Sequence, residues 1–415
     1  MHIMGLLSFI NGAWIPIHSI RSLEYTQGKP TKIKIFNRDW VAWRDNILDV
    51  WCLNEDICPH RFAPLSQGKI NYKTGCLECP YHGWQFDMNG KCTKIPHERF
   101  VNNKIKVRNI ITHTTGDLLW GFFPTSISSL NESIEILPEH KCEFLKEYEN
   151  HTYYIRELPY SWNILVENLM DPLYFSTNIE DGSSINIKTK TFNDTHCELY
   201  FTDKIKNKKR EGMLTFQKPV YFSFSTKYEK KNWIKNINTL TVPIKEGSSR
   251  IFMITPFTKS KLPVWLKHAV MNRFLNTKIW LHDAEIYNRN SNKEHLSTTS
   301  SDKAPYIFRL WWTKNGMKET ILHTFSASRP HKLKKIPHPQ QMNIWNTHTK
   351  HCKDCRNALK TFKRVKLLPL LFYTLYQLEN RKILIYLTVF SGILTILSEQ
   401  VINIIKGTAD FYLTF

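Results

Sequence analysis

The chain opens MHIMGLLSFINGAWIP, without a basic start followed by a long apolar stretch and without an Arg/Ser-rich leader. Neither a secretory signal nor a transit peptide is read there, and the expectation is a bacterial or organelle-encoded product. Internal repeats are missing, which sets aside stacked-repeat architectures. Low-complexity tracts are missing too: hydrophobic residues make up 42% and aromatics 13%, the balance of a folded chain. Acidic residues are scarce, 36 against 57 Lys+Arg, for a formal charge of +21. No helical stripe of bases accompanies that excess, so the charge is read as spread over solvated faces and no nucleic-acid partner is expected. The densest run, Lys204 to Arg210, ends in Glu211-Gly212 and reads as the tip of a hairpin. Regular cysteine spacing is the last absence. Nine cysteines too unevenly placed for a disulfide framework point to metal and redox chemistry in a mostly reducing compartment.

What is present suffices for two or three domains over 415 residues. Residues 12–125 read as β-rich, with strand-like runs Thr31 to Phe36, Asp39 to Arg44 and Leu118 to Pro124. Residues 150–345 read as mixed. Ser161 can cap a helix through Trp162 to Met170, stopped by Asp171-Pro172. Strands follow around 188–255 (Val220 to Ser225 is one), then a helical stretch from Val264 to Arg289 and a strand-like Thr320 to Phe325. The C-terminal part is apolar from Leu367 to Leu378 and again from Ile383 to Ser398, interrupted by Glu379-Asn380-Arg381-Lys382. A spanning helix needs about 20 mainly apolar residues, so a membrane hairpin, or one span plus an interfacial helix, is expected.

The most specific signal is Cys58-Pro59-His60 followed by Cys79-Pro80-Tyr81-His82-Gly83-Trp84. Each half-site offers one thiolate and one imidazole from its own loop. Zinc also takes two Cys and two His. Against zinc stand the tight C-x-H spacing, the placement between strand-like runs with no recognition helix, and Gly83-Trp84, which suits a tight loop under an aromatic lid. A Rieske-type [2Fe–2S] cluster fits, with Cys58 and Cys79 on one iron and His60 and His82 on the other. Cys76 competes for a ligand place but lacks a His at the matching offset. Cys352 and Cys355 have the spacing of a reducible dithiol; free thiols, or half of a zinc site with His348 and His351 nearby, are the other readings.

With these residues in view, the chain resembles the pheophorbide a oxygenase and chlorophyllide a oxygenase group of Rieske non-haem iron oxygenases, in its membrane-bound plastid and cyanobacterial branch. Trp14-Ile15-Pro16, Cys58-Pro59-His60-Arg61 with Ala63 to Ser66, Cys79 to Trp84, Glu167 to Pro172 and the late Cys352-Lys353-Asp354-Cys355 carry the likeness. The resemblance implies an α+β protein: a Rieske domain over 1–125, a helix-grip-like oxygenase domain over 126–345, a C-x-x-C segment over 346–362, membrane-associated segments over 363–406 and a tail over 407–415. It implies an oxidoreductase that takes electrons from a donor such as ferredoxin and oxygenates a chlorophyll-type tetrapyrrole or another flat apolar substrate at a photosynthetic membrane. A homotrimer, with Asp171 relaying electrons between one subunit's cluster and its neighbour's iron site, and thioredoxin-type regulation at Cys352 and Cys355 are implied as well.

The sequence departs from this group where a mononuclear Fe(II) would be bound by two His and a carboxylate. The histidine positions hold Tyr174 and Ile179, and no His lies between His151 and His196. The acid position falls near Lys278, with Asp283 and Glu285 about a turn further on and His282-Asp283 pointing apart as helix neighbours do. The alternative expectation is a protein that keeps the cluster as an electron carrier or redox sensor and has lost oxygen chemistry.

Overall fold

The computed structural model describes residues 8–9, 12–26, 28–124, 148–149, 151–159, 161–172, 185–205, 208–228, 234–245, 247–254, 261–281, 302–315, 343–379 and 382–406. The chain divides into two units. The first joins Met1–Thr258 with Ile286–Lys334, and the second joins Lys259–Glu285 with Lys335–Phe415.

The first unit begins with a seven-stranded antiparallel sheet. Its spatial order is Ser8–Phe9, Gly12–Ser19, Leu118–Pro124, Asn109–Thr115, Val50–Glu55, Arg38–Asp45 and Thr31–Ile35. Alternation dictates the last of these: Ile33 and Ile35 are buried, while Lys32 and Lys34 reach Asp39 at 2.9 and 2.5 Å. Phe36 and Asn37, at φ 52° and 57°, make the two-residue turn that suits the strand twist. Large rings fill the interior, with Trp14, Trp40, Trp43 and Trp120 all fully buried. Trp43 donates its indole N–H to Asn54 Oδ1 at 2.7 Å. A small sheet of four short strands, Lys69–Ile70, Leu77–Glu78, Gln85–Phe86 and Cys92–Lys94, is inserted between Val50–Glu55 and Asn109–Thr115.

A second seven-stranded antiparallel sheet follows, ordered Tyr153–Leu158, Ser248–Ile254, Ile234–Lys245, Tyr221–Tyr228, Lys208–Gln217, His196–Ile205 and Asn186–Phe192. The basic run sits where the charge pattern puts it: Ile205 pairs with Lys208 across the end of a hairpin. Deeper in that hairpin Arg210 and Asp203 form a buried ion pair. The helix Trp162–Leu169 lies on this sheet, its Trp162 indole donating to Thr241 O at 3.0 Å. Ser161 occupies the N-cap position, but its hydroxyl makes no capping bond, contrary to expectation. The helix Lys303–Asn315 covers the sheet further along, packing Phe308, Trp311 and Trp312 on Phe216. The two sheets are tied by backbone bonds from Phe36 and Asn37 to Pro243 O and Ile244 O, and by Arg250, which bonds Ile17 O at 3.1 Å and Glu157 at 2.7 Å.

The second unit is helical: Val264–Leu281, Ile344–Thr347, Lys353–Val365, Leu368–Glu379 and Lys382–Lys406, with a 3₁₀ turn at Thr349–His351. The helix Val264–Leu281 belongs here rather than with the mixed segment 126–345, because Trp265 packs on Phe362 and joins the cluster of Cys352, Cys355, Ala358, Leu359, Ile402 and Ile405. The last two helices pack on one another as a hairpin, and Lys366 pairs with Glu399. Ile383–Lys406 is long and apolar enough to cross a membrane. Tyr386, Val389, Phe390, Ile393 and Ile396 all lie exposed on it. Leu368–Glu379 is too short to span.

Candidate metal centre

The two half-sites fold into the same local structure. In the first loop, Cys58 N–H donates to Ala63 O at 2.9 Å and Phe62 N–H returns to Cys58 O at 2.8 Å. In the second, Cys79 N–H donates to Trp84 O at 2.8 Å and Gly83 N–H returns to Cys79 O at 3.1 Å. Each loop closes after six residues, with its fifth residue left-handed: Phe62 at φ 59° and Gly83 at φ 69°. A left-handed phenylalanine is uncommon, and here it lies at the metal-binding loop, where backbone strain concentrates. Phe62 gains no packing in exchange, since its side chain is 73% exposed.

The loops bring the four predicted ligands together in a graded arrangement. Cys58 and Cys79 are 1% and 4% exposed. They back onto the core of Val41, Trp43, Leu65, Leu77 and Phe86. His60 and His82 are exposed, their ring centroids 4.7 Å apart. Trp84 stacks on His60, 4.5 Å between centroids and 4° from parallel, and Tyr81 lies 3.9 Å from His82. Burial pushes the Cys58 thiol up to about 12, so a thiolate there needs a cation beside it. Partial desolvation, then the charges of His82 and Arg61, hold His60 below the usual imidazole range, which favours the neutral ring a metal requires. This donor set fits a [2Fe–2S] group. Cys76 is not part of it: its sulfur bonds Thr74 O at 3.4 Å and Thr93 Oγ1 at 3.5 Å.

The remaining predicted residues lie elsewhere. Asp171 follows the helix Trp162–Leu169, half-buried, its N–H donating to Asn168 O at 3.2 Å. Tyr174, Ile179, His282, Asp283, Glu285 and the strand expected at Thr320 to Phe325 fall outside the described residues. Lys278 falls within the helix Val264–Leu281. Isoleucine offers no donor atom and lysine no carboxylate, so the residues at the expected positions do not fit a two-His, one-carboxylate iron site. In the second unit Cys352 and Cys355 are buried, unoxidised thiols. A hydrogen bond from Cys355, with the His268 and His348 imidazoles nearby, holds the Cys352 thiol well below its usual range. The sequence reading missed His268. It lies 84 positions before Cys352, and only its place on a helix facing the C-x-x-C turn brings it there.

Comparison with known proteins agrees with this geometry. The Rieske [2Fe-2S] domain family matches residues 13–105. Pheophorbide a oxygenase of Oryza sativa subsp. japonica is 26% identical, over 73% of this chain and 64% of its own length. Protein TIC 55 of Arabidopsis thaliana is 28% identical, over 61% and 49% respectively. The chain thus spans under two thirds of the length of these relatives. The crystal structure of dicamba monooxygenase bound to dicamba superposes with a TM-score of 0.53 at 18% identity, covering 77% of this chain and 100% of that one, which establishes the shared fold. The paired cysteine–histidine loops and the β domain that carries them are those of a Rieske [2Fe-2S] domain, and the chain as a whole is similar to the pheophorbide a oxygenase and chlorophyllide a oxygenase group of Rieske oxygenases.

Proposed function

We propose that this chain is a membrane-associated Rieske oxidoreductase that passes single electrons from a ferredoxin-type donor to an acceptor. The observation that carries the reading is the graded site, with sulfur donors buried and imidazoles at the surface. A [2Fe–2S] group held there supplies one-electron transfer at about −150 to +300 mV, because two neutral imidazoles replace two thiolates. Cys58 and Cys79 fix the buried end and exclude water from it. His60 and His82 present the edge an electron partner can approach. Trp84 holds the His60 ring in plane, and exposed Arg61 beside it suits an acidic donor. The apolar helix Ile383–Lys406 supports anchoring in a membrane, photosynthetic by likeness to the chloroplastic relatives.

A second reading rests on the relatives themselves. Pheophorbide a oxygenase is an oxygenase by its name, so oxygenation of a chlorophyll-type tetrapyrrole, in a trimer with Asp171 as the relay between subunits, is the activity to test against. Tyr174 and Ile179 oppose it. Iron content separates the two. The full chain reconstituted with iron and sulfide is expected to hold about two irons, and a third, with oxygen uptake on adding the tetrapyrrole, would favour the oxygenase.

A further inference from the structure

We propose that His268, His348, Cys352 and Cys355 form a structural zinc site that fastens the second unit together. The residues come from three pieces of chain: the helix Val264–Leu281, the turn after Ile344–Thr347, and the start of Lys353–Val365. Their donor atoms all lie within 4.8 Å of one another. His348 Nε2 is 3.3 Å from Cys355 Sγ, and His268 Nδ1 is 3.3 Å from Cys352 Sγ and 3.7 Å from Cys355 Sγ. In a tetrahedron with Zn–S of about 2.3 Å and Zn–N of about 2.0–2.1 Å, neighbouring sulfur and nitrogen donors are about 3.5 Å apart. Separations of 3.3, 3.3 and 3.7 Å are close to those of such an edge.

Burial and charge point the same way. The side chains are 2%, 2%, 7% and 2% exposed, packed among Ala358, Leu359, Ile402 and Ile405. Burying two thiols and two imidazoles among aliphatic side chains is costly unless they share a partner. Zinc would be held by both sulfurs as thiolates, any thiol proton passing to solvent, and the two thiolates would cancel the charge of the ion, leaving a neutral centre suited to that core. Four protein ligands leave no open position, which marks the site as structural. Cys352 and Cys355 occupy the N-cap and first turn of their helix. A regulatory dithiol would use two of the four groups, whereas a four-ligand site uses all of them.

The test uses the full chain, produced with iron and zinc supplied, and measures metal content. About one zinc per chain is expected beside the iron. A Cys58→Ser, Cys79→Ser double variant should lose its iron and keep that zinc. His268→Ala and Cys352→Ser should lose at least nine tenths of the zinc while the brown iron chromophore stays. Should those variants fail to fold, zinc X-ray absorption on the Cys58→Ser, Cys79→Ser protein decides, with two sulfur and two nitrogen neighbours expected. The proposal is overturned if the unaltered chain carries no zinc, or if its zinc disappears with Cys58 and Cys79. It is also overturned if oxidised thioredoxin converts Cys352 and Cys355 to a disulfide equally fast in the zinc-loaded chain and in the chain stripped of zinc by a chelator.

Discussion

Two groups of two cysteines and two histidines lie in different units of this chain, and they differ in where the imidazoles sit. At Cys58, His60, Cys79 and His82 the sulfurs are buried and the rings exposed. At His268, His348, Cys352 and Cys355 all four are buried. The same donors therefore suit opposite roles. An exposed imidazole edge lets an electron leave a centre whose charge the buried end stabilises. A fully enclosed set offers no such exit and suits holding helices in place. The path of the chain differs in the same way. Two loops with the same hydrogen-bond pattern build the first group, while a helix, a turn and the start of another helix build the second.

Substitutions can break or sharpen that contrast. The largest effect is expected from Cys58→Ala, which removes a buried ligand and should abolish the visible chromophore, while Cys355→Ala should leave it intact; absorbance of the purified chains checks both. His82→Cys comes next. Replacing a neutral ring by a thiolate should lower the midpoint potential by about 250 mV or more, toward the range of all-cysteine clusters, as read by redox titration. An unchanged potential would remove His82 from the ligand set.

A smaller effect compares the two loops. Gly83→Ala places a Cβ at φ 69°, 3.3 Å from Pro96 Cγ, and should cost about 1–2 kcal/mol in denaturant unfolding. Phe62→Gly, at the equivalent left-handed position, should leave stability within about 1 kcal/mol of the parent, because relief of strain offsets the added chain entropy. Equal losses from both changes would show that the loops are not equivalent. The smallest effect is expected from Trp84→Ala. Losing the ring stacked on His60 should speed release of iron to a chelator about two- to tenfold without changing the iron bound at the start.

The meeting of Cys58, His60, Cys79 and His82 was legible in the sequence, because these candidate ligands are local: each loop carries a Cys and a His within four residues, and the repeated spacing pairs them. The hairpin at Lys204 to Arg210 was legible for a similar reason, since like charges concentrate where strands turn into solvent. What stayed hidden was long-range. His268 carries no local signal, and it joins the C-x-x-C turn only because Trp265 seats its helix on Phe362. That packing also moves Val264–Leu281 out of the mixed segment where sequence position put it. The equivalence of Phe62 and Gly83 was invisible as well, because a phenylalanine gives no hint of a left-handed backbone. Ser161 misled in the other direction: a good capping residue in the capping place whose hydroxyl caps nothing.

Electron paramagnetic resonance on the full chain, reconstituted with iron and sulfide and then reduced, tests the central assignment most directly. A brown protein that gains a one-electron paramagnetic signal on reduction, and loses both colour and signal in Cys58→Ala, is the predicted result. A colourless chain that stays silent on reduction despite ample iron would contradict it.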